Sequence, residues 1–194
     1  MNIAKKIAFP LIVAGALSTS LAHAATETFA LDPDHTSVVF SWSHFGFSNP
    51  TANFAHVTGN IVLDEQQITR SKVDITIPVD SVDTHVKALT DDFKGKDYFN
   101  LAAFPQATFH STKIVHKGGN EYKVYGDLKI KDIVKPVILD AELTKRGLHP
   151  LAKKEAVGFN ATTIIKRSQF GMAQYVPLVS DDIIVKISTE ALVQ

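Results

Sequence analysis

The chain has 194 residues, no cysteine, and 20 basic side chains against 20 acidic ones. The missing thiols exclude disulfides, cysteine nucleophiles and iron–sulfur ligation. The balanced charge argues against a nucleic-acid partner, because phosphate binding needs a basic stripe that releases counterions.

In chain order, the first residues read as an export signal. Lys5 and Lys6 are followed by an apolar run from Ile7 to Leu21 and by Ala22-His23-Ala24, an A-x-A cleavage pattern. The run is broken by Pro10 and Gly15 and falls short of the roughly 20 residues that span a bilayer. Cleavage after Ala24 leaves residues 25–194, with 18 basic and 20 acidic side chains, long enough for one domain with a sizeable core. Export is the expected fate, and no later segment approaches membrane-spanning length.

Period-two alternation dominates the rest. Strands are predicted near 36–45, 54–63, 71–79, 108–116, 121–131, 136–145, 157–167 and 182–193. The alternation is cleanest where Tyr122, Val124, Leu128 and Ile130 share one face and Lys123, Tyr125, Asp127 and Lys129 the other. Val73, Ile75, Ile77 and Val79 repeat the pattern, as do Val137, Leu139, Ala141 and Leu143. Turn chemistry at Ser48-Asn49-Pro50, Gly118-Gly119-Asn120, Ile133 to Pro136 and Gly147 to Pro150 separates these runs, and short links imply antiparallel neighbours. In the one long gap, Val86, Leu89 and Phe93 recur at helical spacing, which predicts a helical insertion around residues 83–98.

Eight antiparallel strands, each apolar on one face, either stack as two sheets or close into a barrel, and periodicity does not choose between them. The inward face decides what the fold can do. Val38, Phe40, Trp42 and His44 line one side of the first predicted strand, and Phe54, Phe99, Phe104, Phe109, Phe159 and Phe170 add aromatic bulk. An aromatic wall with a few polar groups suits an apolar chain with a polar head. An ordinary filled core gives the same alternation, and alternation alone favours it.

Signals for catalysis are weak. His35, His44, His56, His85, His110, His116 and His149 form neither HExxH nor H-x-H, so no metal site is expected. Ser168, His35 and Asp181 supply the residue types of a hydrolase, but no G-x-S-x-G elbow supports them, and no G-x-G-x-x-G or P-loop pattern suggests a nucleotide cofactor. In Lys166-Arg167-Ser168-Gln169-Phe170-Gly171-Met172 a cation stands beside an apolar patch, either to meet an anionic head group or to end a strand in water.

The ordered segments DPDHTSVVFSWSHFGFS, ANFAHVTGNIVLD, KGKDYFNLAAFPQATFHST, VYGDLKIKDIVKPVILDAEL, GFNATTIIKRSQFGM and VSDDIIVKISTEAL together resemble the YceI family over nearly all of residues 25–194. The resemblance implies an all-β fold, an extended eight-stranded antiparallel lipocalin-like β-barrel with a helical insertion. It also implies a long-chain lipid inside, of the polyisoprenoid, polyprenyl-quinone or fatty-acid kind; the missing catalytic and nucleotide motifs add the expectation of no other cofactor and no enzymatic activity. Family elements fall on His35, Val38 to His44, Phe54, Gly59, Tyr98, Phe99, Pro105, Phe109, Arg167, Phe170, Gly171 and Met172. The ligand-binding candidates are therefore Val38, Phe40, Trp42, His44, Phe54, Phe99, Phe104, Phe109, Phe159, Arg167, Phe170 and Met172. Leu89 and Asp92 stand where the family usually has an arginine and a histidine, and Lys129 and Asp132 where it has threonine and glycine. Two other classes stay open: an enzyme acting on such a lipid with a histidine base, and a filled-core module with a protein partner. A homodimer is a further open partner.

Overall fold

A computed structural model describes residues 26–194; the expected export signal lies outside the described residues. Ten strands form one antiparallel sheet: β1 (Glu27–Leu31), β2 (Ser37–Ser41), β3 (Thr51–Phe54), β4 (Thr58–Leu63), β5 (Lys72–Pro78), β6 (Gln106–Gly118), β7 (Glu121–Ile130), β8 (Ile133–Leu148), β9 (Glu155–Lys166) and β10 (Asp182–Val193). β1 is hydrogen-bonded to β4 on one side and to β10 on the other, which closes the sheet into a barrel. Closure removes the pairing edges that an open sheet of this length would expose.

The barrel has eight strand positions, because β1 and β2 lie end to end along β10, and β3 and β4 lie end to end beside them. Ala191 pairs with Leu31 and Ser188 with Ser37, so two residues of β10 face five residues of the bend from Asp32 to Thr36. Asp32 holds that bend by accepting hydrogen bonds from the Asp34 amide (3.0 Å) and the His35 ring (2.8 Å). Three predicted boundaries change accordingly. β1 is an additional strand, too short and too close to Pro33 to signal itself. The strand expected over 36–45 ends at Ser41, and that expected over 54–63 is broken at Ala55–Val57. β8 also runs through Ile133–Pro136, expected as a turn; Pro136 is solvent-exposed on it, opposite Asp127.

Between β5 and β6 the chain makes a one-turn 3₁₀ segment (Val79–Ser81), the helix α1 (Lys87–Lys94) and a run of turns. The helix is half the expected length. It begins where Thr84 and Thr90 satisfy each other's hydroxyls, and it ends at Gly95, whose amide donates to the Asp92 carbonyl. A bridge between Asn53 and Asp83 ties this insertion to the free side of β3.

Candidate functional site: a two-chambered barrel interior

The alternating strands aim their apolar residues inward, yet many of these are only half-buried. Along β8, Val137, Leu139 and Ala141 all retain accessible surface although they face the inside of a closed barrel. In a filled core such residues pack to near-zero exposure. Here they face open space, and that disposes of the filled-core alternative.

The interior forms two adjoining chambers, of about 160 Å³ and about 470 Å³. Val38, Ile77, Leu128 and Val185, from four different strands, line both and form a waist. The inner chamber lies against Ile61, Val73, Ile114, Val124, Leu139 and Ile187 among others, and none of its lining residues carries a formal charge. Its few polar groups are largely occupied: the hydroxyls of Thr36 and Thr189 bond each other at 2.7 Å, and the Ser71 hydroxyl accepts the Asp64 amide. Burial pushes the Tyr122 phenol above its usual pKa, with the Glu65 carboxylate adding to the effect, so this wall stays neutral.

The outer chamber has a different character. Phe40 stacks on Phe54 with centroids 5.3 Å apart, Trp42 lies 5.4 Å from Phe93, and Phe93 lies 4.9 Å from Tyr98. The insertion thus lays Phe93, Tyr98 and Phe99 over the aromatic wall of β2 and β3. Into this apolar setting come His44, Asp92, Arg167 and the hydroxyls of Thr84, Tyr98 and Tyr175.

Arg167, 7 % exposed, begins the 3₁₀ turn after β9. It donates from Nε to the Ser180 carbonyl (2.9 Å), from Nη1 to Met172 (2.6 Å) and from Nη2 to Val179 (2.9 Å). A guanidinium has five N–H bonds, so two remain beyond these three. Burial lowers its pKa while Tyr98 and Asp181 oppose that shift, and the group remains a cation. Burial likewise pushes the Tyr98 phenol up. Asp181 is pushed up by its own burial, but the Ser168 amide and hydroxyl, both donating at 2.8 Å, outweigh this and hold it below the usual carboxylate range.

Of the sequence candidates, Val38, Phe40, Trp42, His44, Phe54, Phe99, Arg167 and Met172 line the outer chamber, and Phe109 and Phe159 the inner one. Phe170 is wholly enclosed by packed side chains and faces neither chamber, and Phe104 is half-buried in the turns before β6, also away from both. Leu89 and Asp92 line the outer chamber. Tyr175 and Val179 join them from the irregular segment after Gly171, where no periodicity marked them. His35 lies beside Thr36, whose hydroxyl bonds Thr189 well along β10, whereas Ser168 bonds Asp181 just before that strand begins. Eight residues of strand separate the two places, roughly 25 Å, so Ser168, His35 and Asp181 make no triad. Among the described residues no group of three metal-ligating side chains converges, and no helix is long and apolar enough to cross a membrane.

The model of the YceI-like domain matches residues 29–191. This chain belongs to the YceI-like family. A UPF0312 protein of Photorhabdus laumondii is 36 % identical over 161 residues, covering 82 % of this chain and 83 % of the relative. A UPF0312 protein of Yersinia pestis is 32 % identical over 180 residues, covering 92 % and 93 %. Among solved structures, BcnA of Burkholderia cenocepacia superposes with a TM-score of 0.75 at 26 % identity, covering 83 % of this chain and 99 % of that one. The Campylobacter jejuni YceI protein gives 0.69 at 30 % identity, over 77 % and 88 %. A polyisoprenoid binding domain from Saccharophagus degradans gives 0.64 at 13 % identity, over 88 % and 100 %, a likeness of fold.

Proposed function

We propose that this YceI-like chain is an exported, periplasmic binding protein that holds one long-chain amphipathic lipid in its barrel for carriage, storage or sequestration, and catalyses no reaction on it. The carrying observation is the partition of the interior: an uncharged inner chamber adjoins, at a waist of four shared aliphatic side chains, an outer chamber whose lining includes His44, Asp92 and Arg167. That arrangement matches a lipid with its tail inward and its head at the outer end. Each methylene withdrawn from water contributes up to about 0.8 kcal/mol, so a long tail offsets the cost of ordering a flexible chain. The head would meet the two spare N–H bonds of Arg167 and the ring of His44, which favours a head group that accepts hydrogen bonds. The related fold of the Saccharophagus polyisoprenoid binding domain supports an isoprenoid tail.

Trp42, the only tryptophan, stands in the outer wall and reports on the site. Titrating a long-chain polyprenol should change its fluorescence to saturation, and an unchanged spectrum at saturating lipid would overturn the proposal. Chemical turnover of the added lipid, abolished by His44→Ala, would replace it with the enzyme reading.

A further inference from the structure

The mouth of the outer chamber is built by two connections, residues 43–50 after β2 and residues 171–180 before β10. His44, Pro50, Met172, Tyr175 and Val179 of these segments line the chamber. Neither segment contains an aspartate, glutamate, lysine or arginine, in a chain that is 21 % charged. Both nevertheless present large apolar side chains to solvent. Phe47 is 93 % exposed, Leu178 66 %, Tyr175 60 % and Phe45 46 %. Val86, 56 % exposed, continues the same apolar rim from the insertion.

The two connections are zipped together. The Ser180 amide donates to the Ser43 carbonyl (2.9 Å), the Phe45 amide to the Leu178 carbonyl (3.0 Å), and the Ser43 amide to the Ser180 hydroxyl (2.9 Å). The Phe47 amide closes a tight turn on the His44 carbonyl, with Phe45 and Gly46 both left-handed. Arg167 anchors the base of the second connection through the carbonyls of Met172, Val179 and Ser180. The result is a braced tip with much of its backbone already hydrogen-bonded, so its polar groups are largely satisfied before it meets an apolar medium.

We infer that this tip is a bilayer-docking surface: Phe45, Phe47, Tyr175 and Leu178 dip into the interfacial region of a neutral or zwitterionic membrane and set the chamber mouth against the lipid. The inference rests on the lipid-holding proposal, since a molecule too insoluble to cross water must pass from membrane to barrel through that mouth. Aromatic and leucine side chains are the residues that partition into the interface. The two connections carry no lysine or arginine of their own, and Lys131, which donates to the Gly171 carbonyl at the base of the second, is a single cation; this argues for apolar insertion rather than attraction to anionic headgroups, which needs a basic cluster.

The test is co-flotation of the intact protein with vesicles of equal parts phosphatidylcholine and phosphatidylethanolamine, at low and high salt. Wild type should float with the vesicles at both, and Phe47→Ser/Leu178→Ser should weaken binding by at least about tenfold, since each side chain loses most of its apolar gain. The variant should keep its circular dichroism and its Trp42 response to detergent-delivered polyprenol, because neither residue lines a chamber. Wild type that ignores the vesicles, a variant that floats equally well, or binding abolished by salt would each overturn the inference. So would sedimentation showing that Phe47 and Leu178 hold two copies of the chain together. Loss of the Trp42 response with vesicle binding intact would count instead against the lipid-holding proposal.

Discussion

Replacing Val185 with tryptophan places an indole at the waist between the chambers. Val185 is half-buried on β10 because it faces their shared space, between Thr163 of β9 and Phe40 of β2. The added rings therefore enter a void rather than a packed contact, and the penalty should stay at the lower end of the usual overpacking range, about 1 kcal/mol. Binding should change in a length-dependent way. In the wild type each methylene that reaches the inner chamber adds up to about 0.8 kcal/mol, or roughly fourfold in affinity. Four such methylenes amount to about 3 kcal/mol, on the order of a hundredfold. Titrating a series of alkyl alcohols of increasing length by Trp42 fluorescence would be confounded by the new indole, so isothermal calorimetry is the assay. Short members should bind both proteins alike, and the slope of affinity against length should flatten in Val185→Trp once the outer chamber is filled. Parallel slopes would refute the claim that one tail occupies both chambers.

Three other outcomes follow from particular contacts. A methyl at Gly126 would lie 2.3 Å from the Phe109 ring and 2.6 Å from the His110 carbonyl, so Gly126→Ala should cost about 1–3 kcal/mol, read as a melting temperature lower by roughly 2–12 °C. Arg167→Lys should also destabilise, by about 2 kcal/mol, because one ammonium cannot reach three carbonyls that the guanidinium fork satisfies; an unchanged melting temperature would mean the fork is dispensable. In the bend between β1 and β2, the hydrogen bond between them raises the His35 pKa and lowers that of Asp32. The raised His35 stabilises below its unfolded value and loses this as pH rises through its folded one; the lowered Asp32 stabilises above its unfolded value and loses this as pH falls. The pair should therefore contribute most from roughly pH 4 to 6.5, and NMR titration that finds His35 at or below its ordinary pKa would contradict it.

How much was legible in advance divides along periodicity. Long strands with a clean two-residue repeat, such as β7, carry their inward face in the sequence, and Tyr122, Val124, Leu128 and Ile130 do face inward. β1 gives no signal of its own because five residues next to Pro33 carry too little pattern, although they supply the barrel's closing pairs. The aromatic wall could be read from Val38, Phe40 and Trp42, but not whether it bounded a void or a packed core. Alternation is identical in both cases, and the half-buried state of Val137, Leu139 and Ala141 beside the inner chamber separates them. Bulk marks Phe104, and bulk together with the family segment marks Phe170, but neither signal reports the direction in which a side chain points. Tyr175 and Val179 could not be found at all by period, since they come from an irregular segment fixed by Arg167.

Native mass spectrometry of the protein purified gently from the cell envelope that produces it tests the central claim most directly. The two-chambered barrel predicts a population heavier than the bare chain by the mass of one long-chain lipid, released unaltered by solvent. A bare chain alone, which also fails to take up added polyprenol or long-chain fatty acid, would contradict it.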